Sequence, residues 1–243
     1  MTLTSARIAC AALYAALMAG QAIAQCGPPN LSGDLDFAVC KDWPAYPGQS
    51  ISAKATFERA AGSDVDTSGF YDLDLSIAQD GQAGPIATLH QDSAFESNGV
   101  ALYELTLDTA RYAVAPEVRA FGVRTRFTNS SRLNPLDETQ LTLYVREGEA
   151  LRPVLQQLLV YQYGGEWDGS CEGERSEITR TVEIAKTSSH GYADLIVRTR
   201  ETGTSSVGKG DACKDKITES KPVSTTLRYN GTFYVLPQGF KGL

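Results

Sequence analysis

Histidine is nearly absent from this chain: His90 and His190 are the only two among 243 residues. Neither has a nucleophile at a recognisable spacing, and no Gly-x-Ser-x-Gly occurs. The sequence therefore offers no serine-hydrolase centre, and both histidines read as ordinary loop or surface residues. His-Glu-x-x-His is missing, and with it the common catalytic zinc site; no metal or cofactor is expected. Cys-x-x-Cys is missing too, which removes redox and zinc-cluster readings. Long apolar runs are lacking: the stretch from Ile8 to Ala19 is too short to span a membrane. Basic residues are outnumbered, 22 against 29 acidic, for a net charge of -7. That balance argues against nucleic acid and anionic membranes as partners.

What is present begins with residues 1–24, which read as a signal peptide. Arg7 precedes the apolar run, and Ala22-Ile23-Ala24 forms a small-x-small cleavage site. Cleavage there leaves about 219 residues with 21 basic and 29 acidic side chains, net -8. The expected location is the periplasm or the exterior. Cys10 leaves with the signal, and Cys26, Cys40, Cys171 and Cys213 remain. An even number in an oxidising compartment implies disulfides. Of three pairings, Cys26–Cys40 with Cys171–Cys213 is favoured, because each pair closes a modest loop within one end of the chain. A lipid anchor on Cys26 is the rival, although Gln25 stands where a lipobox has a small residue.

Residues 25–50 are rich in Pro and Gly and read as an irregular, disulfide-pinned lead-in, held to the body by Trp43 and Tyr46. From Ile51 the period is two. Ile51, Ala53, Ala55 and Phe57 alternate with polar residues, as do Tyr71, Leu73, Leu75 and Ile77. Further strands are expected at 86–91, 101–107, 120–127, 140–146, 178–184 and 192–199, between clusters of Asn, Gly, Pro or Ser. Residues 149–162 carry both helical and strand spacing, and Pro153 tips them to strand. Residues 203–222 read as a long polar loop tied back through Cys213. Asn230-Gly231 reads as a type I′ hairpin turn, which needs positive φ at both central positions. The fold class is all-β and antiparallel, propeller-like or sandwich-like, with two disulfides and little helix. Residues 51–243 form one β domain or two halves, 51–148 and 149–243.

The most unusual local sequence is Gly164-Gly-Glu-Trp-Asp-Gly-Ser-Cys-Glu-Gly-Glu174. Glu166, Asp168, Glu172 and Glu174 supply carboxylates around the flat apolar face of Trp167, suited to a sugar, a cation or a basic side chain. The plain alternative is a disulfide-anchored turn with a core tryptophan. Asp64-Val-Asp-Thr-Ser-Gly-Phe-Tyr-Asp72 is acidic, but it lacks the spacing and closing Glu of an EF-hand and reads as a loop entering a strand.

Gly191-Tyr-Ala-Asp-Leu-Ile-Val197 followed by Leu227-Arg-Tyr-Asn-Gly-Thr-Phe-Tyr234 resembles short segments of secreted bacterial β proteins. These are FG-GAP-like propeller fragments, periplasmic inhibitors of invertebrate-type lysozyme, and immunity proteins against peptidoglycan-degrading effectors. The resemblance implies a non-catalytic envelope protein that inhibits a cell-wall hydrolase by inserting a Ser-Gly-x-x-Tyr loop into its cleft. Ser68, Gly69 and Tyr71 are the nearest counterpart, one residue shorter. An acidic protein would be steered toward a basic hydrolase as partner. The calcium loop of FG-GAP repeats is reduced at Thr187–Asp194 to one acidic residue, so no calcium is expected. Two other readings stand beside the inhibitor: a carbohydrate-binding module or glycan-acting enzyme built on Glu166, Trp167 and Asp168, and a structural envelope domain.

Overall fold

Alternation along the chain becomes twelve strands in a computed structural model that describes residues 26–62, 67–208 and 212–243. The signal segment, Asp64 and Asp66 lie outside the described residues. The strands are β1 (Phe37–Asp42), β2 (Gln49–Arg59), β3 (Gly69–Gln79), β4 (Pro85–Ser97), β5 (Ala101–Ala115) and β6 (Val118–Thr128). They continue as β7 (Leu136–Glu147), β8 (Ala150–Trp167), β9 (Gly173–Ser189), β10 (Tyr192–Val207), β11 (Lys214–Glu219) and β12 (Val223–Leu227). Among the described residues no α-helix occurs, and none is long and apolar enough to cross a membrane.

The hydrogen-bonded path runs β1-β2-β3-β4-β8-β7-β6-β5, with β9 joined to β8, β10 to β9, and both β11 and β12 to β10. Every pairing is antiparallel except one short parallel contact, Thr88 with Ala150, between β4 and β8. The two halves of the chain therefore share one sheet. Both disulfides, Cys26–Cys40 and Cys171–Cys213, join the expected partners.

Two apolar clusters hold the layers together. In the first, Ile51, Leu73, Leu75 and Ile77 meet Leu105, Leu107, Phe121 and Val123. In the second, Leu141, Leu143 and Val145 meet Leu155, Leu158, Leu195 and Val197. β7 is the wall between them, because strand alternation sends Leu141, Leu143 and Val145 to one side while Tyr144 joins the other cluster. The segment after β12 runs along β8: Tyr234 N donates to Val154 O, Phe240 O accepts from Leu159 N, and Gly242 N donates to Gln157 O. Under it the buried Glu138 carboxylate accepts from Leu243 N and Gln140 Nε2, both at 2.8 Å.

Three expectations change. The lead-in over 25–50 contains β1 and opens β2, because Phe37 and Val39 pack on the first cluster. The expected loop over 203–222 is largely strand, comprising the end of β10 and all of β11. The Asn230-Gly231 hairpin is a wider turn: Tyr229 bridges Tyr234, and Asn230 Oδ1 accepts from the amides of Thr232 and Phe233. Only Gly231 there has positive φ, +102°. A two-residue turn with positive φ at both central positions lies instead at His190-Gly191, with φ of 49° and 87°, between paired Ser189 and Tyr192.

Candidate binding trough

β8, β9, β10 and β11 run side by side beyond the second core, and their register sorts the side chains by face. One row across the four strands is Gly164, Ser176, Gly203 and Thr218. The next row on the same face is Glu166, Glu174, Ser205 and Lys216. Directly paired residues share a face, and residues two apart along a strand return to it. The result is an open trough of about 840 Å³ with a glycine floor. β10 serves two purposes: Leu195 and Val197 bury on the core, and the same face continues to Gly203 and Ser205 in the trough.

Gly203 is not required by packing or backbone. A Cβ built there meets nothing closer than Thr218 O at 3.9 Å, and its φ is not positive. At Gly164 the nearest atom is Pro135 O at 3.4 Å, an ordinary contact. A bare glycine in a strand weakens it and commonly marks where a ligand approaches closely. Gly165 and Gly173 differ: a Cβ would fall 2.2 Å from Glu174 O and 2.3 Å from Glu166 O, so these two permit the close pairing of β8 with β9.

The sheet separates the three residues singled out near Trp167. Glu166 is exposed on the trough face. Trp167 lies on the opposite face beneath Arg175, whose guanidinium carbon sits 4.3 Å from the ring centroid. Arg175 Nη2 also donates to Ser206 Oγ at 3.1 Å, and Ser206 Oγ donates to Asp215 Oδ1 at 2.6 Å. Asp168 closes the turn: its Oδ1 accepts from the amides of Ser170 and Cys171, both at 2.8 Å. Those backbone hydrogen bonds hold its carboxyl below the usual range. Gly203, Ser205 and Lys216 reach the site only when the strands are paired, whereas Gly164 and Glu174 belong to the 164–174 segment already legible in the sequence.

The proposed plug is placed inside the protein. Gly69 and Tyr71 belong to β3, and Tyr71 is 2% exposed between the rings of Phe37 and Phe57. Burial pushes its hydroxyl up to about 12. Ser68 is half-buried just before the strand. A side chain packed in the core cannot enter a partner's cleft, so Ser68, Gly69 and Tyr71 do not form a projecting loop.

A second cluster lies on the outer face of β3 and β4. His90 and Asp92, two apart on β4, share the face on which Asp72 and Asp74 of β3 stand. His90 Nδ1 lies 2.7 Å from Asp74 Oδ1 and Nε2 lies 3.0 Å from Asp92 Oδ1. Asp72, His90 and Asp92 each offer a ligand atom within 4.8 Å of the others, the one such group among the described residues. Hydrogen bonding of the ring to Asp74, then to Asp92, raises the His90 pKa. Its NMR titration midpoint is expected above the ordinary value of about 6.5, and Asp74→Asn should bring it back down. Because the folded value is raised, the stabilisation is fully present below the unfolded value and is lost as pH rises through the folded one. An unchanged midpoint in Asp74→Asn would show that the pair does not form in solution.

A scan of protein-family models and searches of curated proteins and of solved structures find no match to this chain.

Proposed function

We propose that this is a non-catalytic, extracytoplasmic binding protein and that the trough across β8, β9, β10 and β11 holds its ligand. The observation that carries this reading is the bare floor at Gly203, where neither packing nor backbone conformation calls for glycine. Two disulfides fit an oxidising compartment, as does the signal-like N-terminal sequence. Serine and threonine hydroxyls line the trough between charged ends, so the ligand is polar and extended rather than a compact apolar molecule. Glu166 and Glu174, direct cross-strand partners on one face, read as a seat for a cation.

Gly203→Val tests the reading. Valine suits a strand and has room here, so the melting temperature should stay within a few degrees while the floor fills. Calorimetric titration with short peptides and oligosaccharides should show about a tenfold or greater loss of affinity. A folded Gly203→Val protein that binds as the parent does would place the site elsewhere.

A further inference from the structure

The trough is sorted by charge. Its carboxylates, Glu166 and Glu174, stand on β8 and β9 as direct cross-strand partners. Its ammonium, Lys216, stands on β11, and Lys214 lies one row further along the same face. Among the described residues no ion pair is formed by Glu166, Glu174, Lys214 or Lys216. Arg175 borders the trough, but its guanidinium forms no ion pair with the acidic pair: it lies over Trp167, donates to Ser206 and pairs with Asp215 at 3.8 Å. Glu201 is on the trough face but lies beyond the Gly203 row, toward the core, opposite Ile178.

Like charges directly opposite one another on a sheet repel, and a cation seated between them removes that cost. A neutral ligand leaves the repulsion in place. The trough floor also presents no aromatic ring among the described residues, so a sugar face has nothing to stack on. From Glu174 on β9 to Lys216 on β11 is two strand spacings, or about 10 Å. An extended peptide covers that distance in about three residues.

Resting on the trough as the ligand site, we infer that its ligand is a short extended peptide with a free ammonium and a free carboxylate about three residues apart. The ammonium sits between Glu166 and Glu174. The carboxylate meets Lys216. The peptide's backbone passes over Ser205, which lies between the two charged ends in the same row, with Ser176, Gly203 and Thr218 flanking it in the row alongside.

The test is calorimetric titration of the oxidised protein with trialanine, N-acetyl-trialanine, trialanine amide and a neutral N-acetylglucosamine trimer. Trialanine is expected to bind, and capping either end should weaken it about tenfold or more. Glu166→Gln with Glu174→Gln should weaken trialanine as acetylation does, and have little effect on the acetylated peptide. Lys216→Ala should mirror amidation in the same way. Binding of trialanine should fall steeply as salt rises. Capped and free peptides binding equally would overturn the inference. So would a trimer that binds while trialanine does not. In either case, loss of that binding in Gly203→Val leaves the trough as the site. If neither class of ligand binds, both the inference and the trough reading fall.

Discussion

Phe121→Ala is expected to lower unfolding stability by about 4 kcal/mol, a cost typical of emptying a sealed aromatic site. Phe121 is fully buried on β6, stacked on Tyr144 at 5.7 Å and met edge-on by Trp43 at 5.5 Å. Tyr144 is its partner in the β6–β7 register, and the Tyr144 hydroxyl donates to Gln91 Oε1 on β4 at 3.1 Å. One ring thus supports the β6–β7 pairing, the docking of the β1–β2 corner through Trp43, and the approach of β4. None of these neighbours can collapse into the space without breaking a contact of its own. For a chain of this size the loss corresponds to a fall in melting temperature of about 8 to 16 °C. Urea unfolding followed by circular dichroism checks it. Phe233, an exposed aromatic, serves as the control, and its alanine variant should stay within about 0.5 kcal/mol of the parent. A loss under about 1 kcal/mol for Phe121→Ala would mean that the Trp43 corner is not docked as described.

Replacing Cys171 and Cys213 with alanine is the second large effect. The bridge spans 42 positions of sequence, and releasing a loop of that length from the unfolded chain corresponds to about 4 kcal/mol. The location matters as much as the size. Cys171 lies in the turn between β8 and β9, and Cys213 immediately precedes β11. β11 is paired only with β10, and all six of its residues are exposed. Without the bridge, little besides the ladder to β10 holds β11 in place. Hydrogen exchange should therefore rise first in β11 and in residues 202–207 of β10, while β2 and β3 keep their protection. Ligand affinity should fall with it, since Lys216 rides on β11. Unchanged exchange in β11 would show that the ladder alone is sufficient.

Much of the fold could be read from spacing, because burial on one face writes itself as alternation. Tyr71, Leu73, Leu75 and Ile77 are all in the first core, as their period of two requires. β7 hides the same pattern, since Leu141 to Val145 is buried on both sides and reads as a run. β11 is illegible for the opposite reason: Lys214–Glu219 faces water all along, so no apolar period marks it. Asn230-Gly231 carries the hairpin signal, but the Asn230 side chain accepts from the amides of Thr232 and Phe233 and the turn there is wider. The trough was half legible. Gly164-Gly165-Glu166 stood out, but Gly203, Ser205 and Lys216 reach the site only through pairing partners distant in sequence. A Ser-Gly-Phe-Tyr motif says nothing about which way its tyrosine points, and in β3 Tyr71 points into the core.

The chain's two tryptophans occupy very different surroundings. Trp43 is sealed at 2% exposure, while Trp167 sits at the disulfide end of β8, on the face opposite the trough and under a guanidinium. Their emission should therefore separate. Trp43 should fluoresce blue-shifted until global unfolding, and Trp167 should respond earlier to whatever loosens the β8–β9 turn. A single unlabelled sample then carries two optical channels, one for the whole molecule and one for the end where β11 is tied down.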